Sequence, residues 1–449
     1  MNKVYKLILA CLLTLPTVGV HAQTGEMDTL MYHWLGLARF NGTVLVAQHG
    51  DVLLHKGYGP RDVDQDSVCN EHTIYQIGGL TEMFTAAIVY KLQEEGKLKT
   101  TDKLSKYFPD YKVGKDVTIA QLLAHRSGIY DFMDVDSFYD GSIYSPRSRA
   151  DIVLAFMNRP LLFEPGTKYN LSTSDYMLLG YLIEEITGKS YFDIVRTRIF
   201  EPYGMNSTGF NFGGYPSWDK ARGYQILNFT RMLPSIPVDS TVGGAAASMF
   251  STTEDMYKWA QVILSGKFLK KQSWDAMLKP VSDTAASGWL TTSFYGNTAV
   301  GQIGEAQGYV SSFFVAPADS TVVILLSNDQ ESEVDYVRDG LVAILYDKPY
   351  EYPKERVIVQ LYPDQLKRYE GMYEMEDGFD MNIYVENGVL NGKVTGQTPF
   401  TMYGEKGNWD HFFMLSADVT FHFTRDKRGN VDGVIVRKNR QILTGKKWQ

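Results

Sequence analysis

IGGLTEMFTA, Ile77–Ala86, is the stretch from which the rest of the chain can be read. Two glycines punctuate it. After them Phe84, Ile88 and Leu92 recur at four-residue spacing, and Gly96 follows. That spacing predicts a helix over 80–95, entered through a glycine turn and stopped by Gly96. Upstream, RFNGTVLVAQHGDVLLHKGYGP (39–60) carries two apolar-rich runs about His49-Gly50-Asp51, which predicts a hairpin. Downstream, 117–125 and 174–187 are further helical candidates, the second closed by Gly188. TVVILLSND (321–329) reads as a continuous apolar strand with a turn after it, and 333–346 as a last helix.

The texture then changes. DKPYEYPKE, within 347–360, has two prolines and many charges and reads as a linker. From 361 to 449 short alternating runs predict a small antiparallel β domain, with Asn387-Gly388 as a hairpin signal. The main body is then 23–346. No internal repeat or low-complexity tract is present.

Hydrophobic residues make up 44% and charged residues 21% of 449, a globular composition. The formal net charge of -8 gives no basic face for phosphates, so nucleic acid is not an expected partner. Lys3 and Lys6, an apolar run Leu7–Leu15 and Val20-His21-Ala22 read as a signal peptide over 1–22, cleaved before Gln23. Export to a periplasmic or extracellular space is therefore expected. Cys11, after Leu9-Ala10, faintly suggests a lipoprotein signal, but the apolar stretch before it is short. The apolar run is too short to span a bilayer, and no later stretch is longer, so no membrane span is expected in the mature chain. One cysteine, Cys69, would remain, and one thiol makes no internal disulfide.

Several stretches, in order, resemble the serine β-lactamase-like and penicillin-binding superfamily, in its class C β-lactamase, D-alanyl-D-alanine peptidase and esterase branch. Besides the opening hairpin and the Ile77 turn, they are VTIAQLLAHRSGI (117–129), FEPGTKYNLSTSDYMLLGYLIEEITGKSY (163–191), IFEPYGMNSTGF, GGAAASMFSTTEDMYKWAQ and GQIGEAQGYVSSFFVAP. The resemblance covers about residues 38–330. It implies an α/β transpeptidase-like fold, an antiparallel sheet flanked by helices with a helical subdomain. The C-terminal β domain is similar to the lipocalin-like appendage found behind such hydrolases, and that likeness implies no chemistry.

The family's acyl transfer uses Ser-x-x-Lys at a helix start, because residues three apart share a helical face and the amine can activate the hydroxyl. On the matching positions stand Gly79, which has no nucleophile, and Glu82, which reverses the charge. The Tyr-x-Asn motif falls on Leu171-Ser172-Thr173; leucine transfers no proton and threonine lacks the bidentate amide. The Lys-Thr-Gly or His-x-Gly motif falls on Gln302-Ile303-Gly304, polar but without the cation or imidazole that meets a substrate carboxylate. The backbone N–H groups of Gly79 and Glu305 match the family's oxyanion donors, which depend on fold and not on side chain.

No family catalytic residue is therefore expected to function. Gly79, Glu82, Leu171, Thr173, Gln302, Gly304 and Glu305 remain as expected pocket positions. Thr81, two residues from the lost serine, points to another helical face. Ser172 has no base near it in sequence, and Ser127 and His125 read as structural parts of a turn. The acidic run 130–144, with Asp131, Asp134, Asp136 and Asp140, reads as a solvated loop ahead of a calcium site. No histidine spacing suggests a metal, and no cofactor is expected. The expectation is an exported homologue of these serine hydrolases, inactive by the Ser/Lys/Tyr route. It would bind a cell-wall peptide, a glycan, a small acyl ligand or a partner protein not identifiable from sequence. Two alternatives stand beside it. One is a hydrolase using Glu82-activated water or a displaced nucleophile. The other is an assembly subunit acting through the C-terminal β domain.

Overall fold

A computed structural model of the chain describes residues 22–448, apart from 136–141, 229–230, 283, 354, 356, 377, 387, 395–398, 415–418 and 439–440. The expected signal peptide, except Ala22, and Cys11, Asp136, Asp140 and Asn387 lie outside the described residues. The chain divides into two compact units, between Tyr352 and Pro353. Among the described residues no helix is long and apolar enough to cross a membrane.

In the first unit the strands are β1 (Gly42–Gln48), β2 (Asp51–Tyr58), β3 (Leu290–Phe294), β4 (Asn297–Ala306), β5 (Tyr309–Ala316) and β6 (Thr321–Ser327). They form one antiparallel sheet in the order β2-β1-β6-β5-β4-β3. The helices used below are α1 (22–36), α2 (Thr81–Glu94), α3 (Ile119–Leu123), α4 (Thr173–Thr187), α5 (Ser240–Ala247), α6 (Thr253–Ser265) and α7 (Val334–Leu345).

Both faces of the sheet are covered, and this explains the unbroken apolar run at 321–327. Successive side chains of a strand point to opposite faces. Leu45, Ala47, Val322, Ile324 and Leu326 join the large core around α2 and α6. Val44, Val46, Val323 and Leu325 join a second core with Met27, Leu30 and Trp34 of α1 and Val337 and Leu341 of α7. Full burial of each such side chain stabilises the fold by roughly 1.5–3 kcal/mol. The periodicity of Phe84, Ile88 and Leu92 suggests one apolar face for α2. Instead the helix is buried almost all round, from Thr81 to Tyr90 and again at Leu92, because it runs through the centre of the unit. Phe84 stacks on Trp259 of α6 with ring centroids 4.9 Å apart. The helical subdomain between β2 and β3 also carries small strand pairs, among them Tyr224–Leu227 with Met232–Pro234.

The second unit is a closed eight-stranded antiparallel barrel. It runs from Gly371–Met375 to Gln441–Lys447, and Phe400–Glu405 pairs with Asn408–Phe413 to complete the ring. The short strand Ile358–Val359 adds to Phe400–Glu405. Its core is filled by side chains such as Tyr369, Tyr373, Met402, Phe412, Phe421 and Phe423.

What positions the candidate site is a close approach between the Ile77–Leu80 turn and β4. Gly78 has φ +51°, in the left-handed region, and a Cβ there would lie 2.3 Å from the Glu305 carbonyl oxygen. A Cβ on Gly304 would lie 2.1 Å from the Ile77 carbonyl oxygen. Glycine is required at both positions. Gly79 differs: its Cβ would lie 3.3 Å from the Ile303 carbonyl oxygen and 3.6 Å from Gly304 Cα, a tight but accommodable fit. We expect Gly304→Ala to cost roughly 2 kcal/mol or more, because backbone would have to move. Gly79→Ala should stay within about 1 kcal/mol, its contact being offset by a less flexible unfolded chain. Denaturant unfolding of the two variants checks this contrast.

Candidate functional site

The turn at Gly78–Leu80 is a single 3-10 turn that runs directly into α2. Thr81 is consumed in holding it. Its hydroxyl donates to the Gly78 carbonyl at 2.7 Å and accepts from the Met249 N–H at 3.2 Å. Ser311 Oγ on β5 donates to the Ile77 carbonyl at 2.9 Å and clamps the other side. Gly79 therefore sits between a helix start and a strand, where a side chain would fit and none stands.

Glu82 is the first acidic residue of α2, a favourable place for a carboxylate at a helix N-terminus. It is 5% exposed, and its Oε2 lies 3.2 Å from His125 Nε2. His125 follows α3 in the left-handed region, with φ 51°. Such a conformation is uncommon for a side-chain-bearing residue and is held here by several contacts. The His125 carbonyl accepts from the Asn170 N–H at 2.9 Å, and His125 Nδ1 accepts from the Ser172 N–H at 3.2 Å. Because Nδ1 is an acceptor, the proton of the neutral ring sits on Nε2 and is donated to Glu82.

Asp175, the acidic residue in the first turn of α4, is fully buried. Its Oδ1 accepts from Ser127 Oγ at 2.5 Å, and its Oδ2 lies 3.8 Å from His125 Nδ1. Asp131 accepts the Thr173 N–H at 2.7 Å and the Met133 N–H at 3.0 Å, so it ties down the start of α4. Burial pushes the Asp175 carboxyl up to about 8, with His125 and the Ser127 hydroxyl opposing. Burial also raises Asp131 above the ordinary carboxylate range. For His125 burial acts downward, but Glu82, Asp175 and Asp131 outweigh it and the ring is raised. The result is one imidazole among three carboxyl groups, sealed from water.

Beside this network lies an open cavity of about 400 Å³. Gln76, Thr173, Asp239, Glu305 and Gln307 supply polar wall, and Met133, Ile143, Val238 and Val242 supply apolar wall. Of the seven expected pocket positions, Thr173 and Glu305 line this cavity. Gly79, Glu82 and Gly304 do not line it: Gly304 meets the Ile77 carbonyl, Gly79 faces the Ile303 carbonyl, and Glu82 is turned to His125. Leu171 is 62% exposed. Gln302 is buried, and its amide donates to the Gly288 carbonyl at 3.3 Å, so its head group is engaged within the protein. The sequence places no base near Ser172. In space His125 is near its backbone N–H, while its hydroxyl points to the Ile129 carbonyl at 3.4 Å.

Sequence reasoning missed Asp175, Gln76, Asp239 and Gln307. A signal for Asp175 existed: a carboxylate within the otherwise apolar helix TSDYMLLG. Gln76 and Asp239 come from segments with no motif, and Gln307 lies within GQIGEAQGYVSSFFVAP but outside its Gln302-Ile303-Gly304 motif positions.

The family model described as Beta-lactamase matches residues 30–348. The chain is similar to penicillin-binding protein 4* of Bacillus subtilis (strain 168), at 28% identity over 418 residues, 86% of this chain and 90% of that protein. It is also similar to Protein flp of Staphylococcus aureus (strain COL), at 30% identity over 318 residues, 68% of this chain and 62% of that one. Among solved structures, the octameric penicillin-binding protein homologue from Pyrococcus abyssi matches with a TM-score of 0.67. Its identity is 23%, over 94% of this chain and 99% of that chain, which is a likeness of fold.

The buried network predicts a pH signature. A carboxyl raised by burial stabilises the fold while protonated, so its contribution is full below the ordinary aspartate value near 4 and is lost as pH rises through about 8. The raised His125 acts with the same sign, its contribution falling as pH climbs past 6.5 and through its folded value. Asp175→Asn keeps an oxygen for the Ser127 hydroxyl and removes the charge. Its melting temperature should gain on the native chain's as pH rises from about 5 to about 8. Thermal unfolding across that range checks it; a constant difference would contradict it.

Proposed function

The chain belongs to the beta-lactamase family, and on that premise we propose that it is a binding homologue of these hydrolases, inactive by the family's serine route. The observation that carries this reading is the pairing of Glu82 with His125 next to an empty Gly79 position. A lysine on α2 would serve as base to a serine three residues before it. Here both are replaced, and the replacement for the base is itself held by a buried partner. The cavity beside Thr173 and Glu305 supports a role in holding a peptide, glycan or small acyl ligand in place of cleaving it. The N-terminal 1–22 pattern supports export, with the binding done outside the cytoplasm.

The alternative in which Glu82 activates a water is disfavoured by its burial and by its bond to His125, which leave little room for water beside it.

Intact mass after exposure to a penicillin and to a fluorophosphonate tests the proposal. The native chain should gain no adduct. A double variant, Gly79→Ser with Glu82→Lys, should gain one, because a side chain at 79 meets only the 3.3 Å contact noted above. An adduct on the native chain that maps to one serine or threonine would overturn the reading and make the protein an enzyme with a displaced nucleophile.

A further inference from the structure

The wall of the barrel carries two imidazoles in contact. His411 stands in the strand Asn408–Phe413 and His422 in the strand Val419–Arg425, and the antiparallel register sets them directly opposite one another. Residues so placed have Cβ atoms roughly 4.5–5.5 Å apart. Their neighbours Phe412, Phe421 and Phe423 fill the barrel core, so by the two-residue alternation of a strand both histidines face outward. The ring centroids are 4.3 Å apart and the ring planes are inclined at 60°, so the rings are tilted and not stacked. Two imidazoles that share one divalent ion, at about 2.0–2.1 Å from each ligating nitrogen, hold their ring centres about 4–5 Å apart. The pair has that spacing. Ring contact alone would be served as well by two aromatic side chains; what imidazoles add is nitrogen lone pairs side by side.

The surroundings decide which nitrogens stay open. His411 Nδ1 lies 3.8 Å from Glu405 Oε2. A carboxylate there favours the proton on Nδ1 and leaves the Nε2 lone pair free, as in metal sites where an outer carboxylate orients a ligating ring. His422 Nδ1 is sealed from solvent and has no hydrogen-bond partner, so Nε2 is the nitrogen left to meet a solute. The side chains of His411 and Glu405 are 35% and 34% exposed, which gives an ion access. We infer that His411 and His422 form a two-imidazole site for a late first-row divalent cation, copper(II) ahead of zinc(II), that clips the strands Asn408–Phe413 and Val419–Arg425 together. The order of the two ions follows from the general preference of nitrogen sites. Among the described residues no group of three or more His, Cys, Asp and Glu is placed to hold a metal, so water completes the coordination. The two histidines are on separate strands with no motif spacing between them, and only the strand register brings them together.

Calorimetric titration of the purified full chain with copper(II) and with zinc(II) tests this, at about pH 7.5, where free imidazoles are neutral. Electron paramagnetic resonance of the copper-loaded chain counts the nitrogens on the ion. One equivalent should bind, copper(II) more tightly than zinc(II), with a spectrum showing two imidazole nitrogens. His411→Ala and His422→Ala should each weaken binding at least ~10-fold and leave one nitrogen at most, since even an outer-shell partner of a metal ligand is worth that much. Glu405→Gln should weaken it by about 10-fold with both nitrogens kept. Copper(II) should raise the melting temperature of the native chain, and this rise should vanish in both histidine variants, because only a folded register holds the pair together. The metal-free melting temperature of each variant verifies its fold. If binding and spectrum survive both histidine variants, the ion sits elsewhere and the inference is overturned. If no ion binds at millimolar concentration, it is overturned as well. Should a histidine variant fail to fold, Glu405→Gln decides: an unchanged affinity, or a native spectrum with fewer than two imidazole nitrogens, overturns the site.

Discussion

Two backbones touch where the Ile77–Leu80 turn meets β4, and the geometry of the cleft follows from that contact. No side chain separates them: Gly78 and Gly304 are each within a clash of the opposite carbonyl if given a Cβ. The start of α2 is thereby fixed against the edge of the sheet, Thr81 and Ser311 bond across the turn, and Glu82 is delivered to His125. The same approach places Glu305 at the cavity mouth. The turn and strand that would present a side chain at position 79 are in place, and a glycine stands there. Steric necessity explains the glycines at 78 and 304 but not the one at 79.

The charge inside the network explains why Glu82 can be where a cation is expected. A lone buried carboxylate would be costly, and removing one partner of a buried pair typically costs about 3–5 kcal/mol. His125 answers Glu82, and the Ser172 N–H sets the tautomer that lets it do so. Asp175 is kept tolerable by burial itself, which favours its protonated form, and by the Ser127 hydroxyl. The site is then a structural brace, with α2, α3 and α4 joined through one imidazole. That brace stands next to the cavity and does not reach into it.

Much of the fold was legible because it is written in local patterns. The hairpin about His49-Gly50, the helix ended by Gly188 in the left-handed region, and the continuous strand 321–327 follow from spacing and turn chemistry. The vacated motif positions were legible because ordered segments align with a known family. The cavity was not. Gln76, Asp239 and Gln307 are brought together by strand pairing and helix packing over more than two hundred residues, and none is one of the family's motif positions. Gln302 is instructive: the sequence gives a polar group at a wall position, and only packing decides that its amide turns to Gly288. Position on a strand was readable; the direction of a head group was not.

The sheet of the first unit has an implication for how the chain reaches its native state. β1 is hydrogen-bonded on one side to β2, close in sequence, and on the other to β6, with Val44 opposite Leu325. Until residue 327 has left the ribosome, the hairpin presents an unpaired apolar edge. The barrel repeats the arrangement, since Tyr373 pairs with Lys447 near the C-terminus. Neither closure can be completed early, and both demand pairing across long loops, which slows folding. Truncation that removes the last strand of either sheet therefore leaves its pairing partner with an open edge.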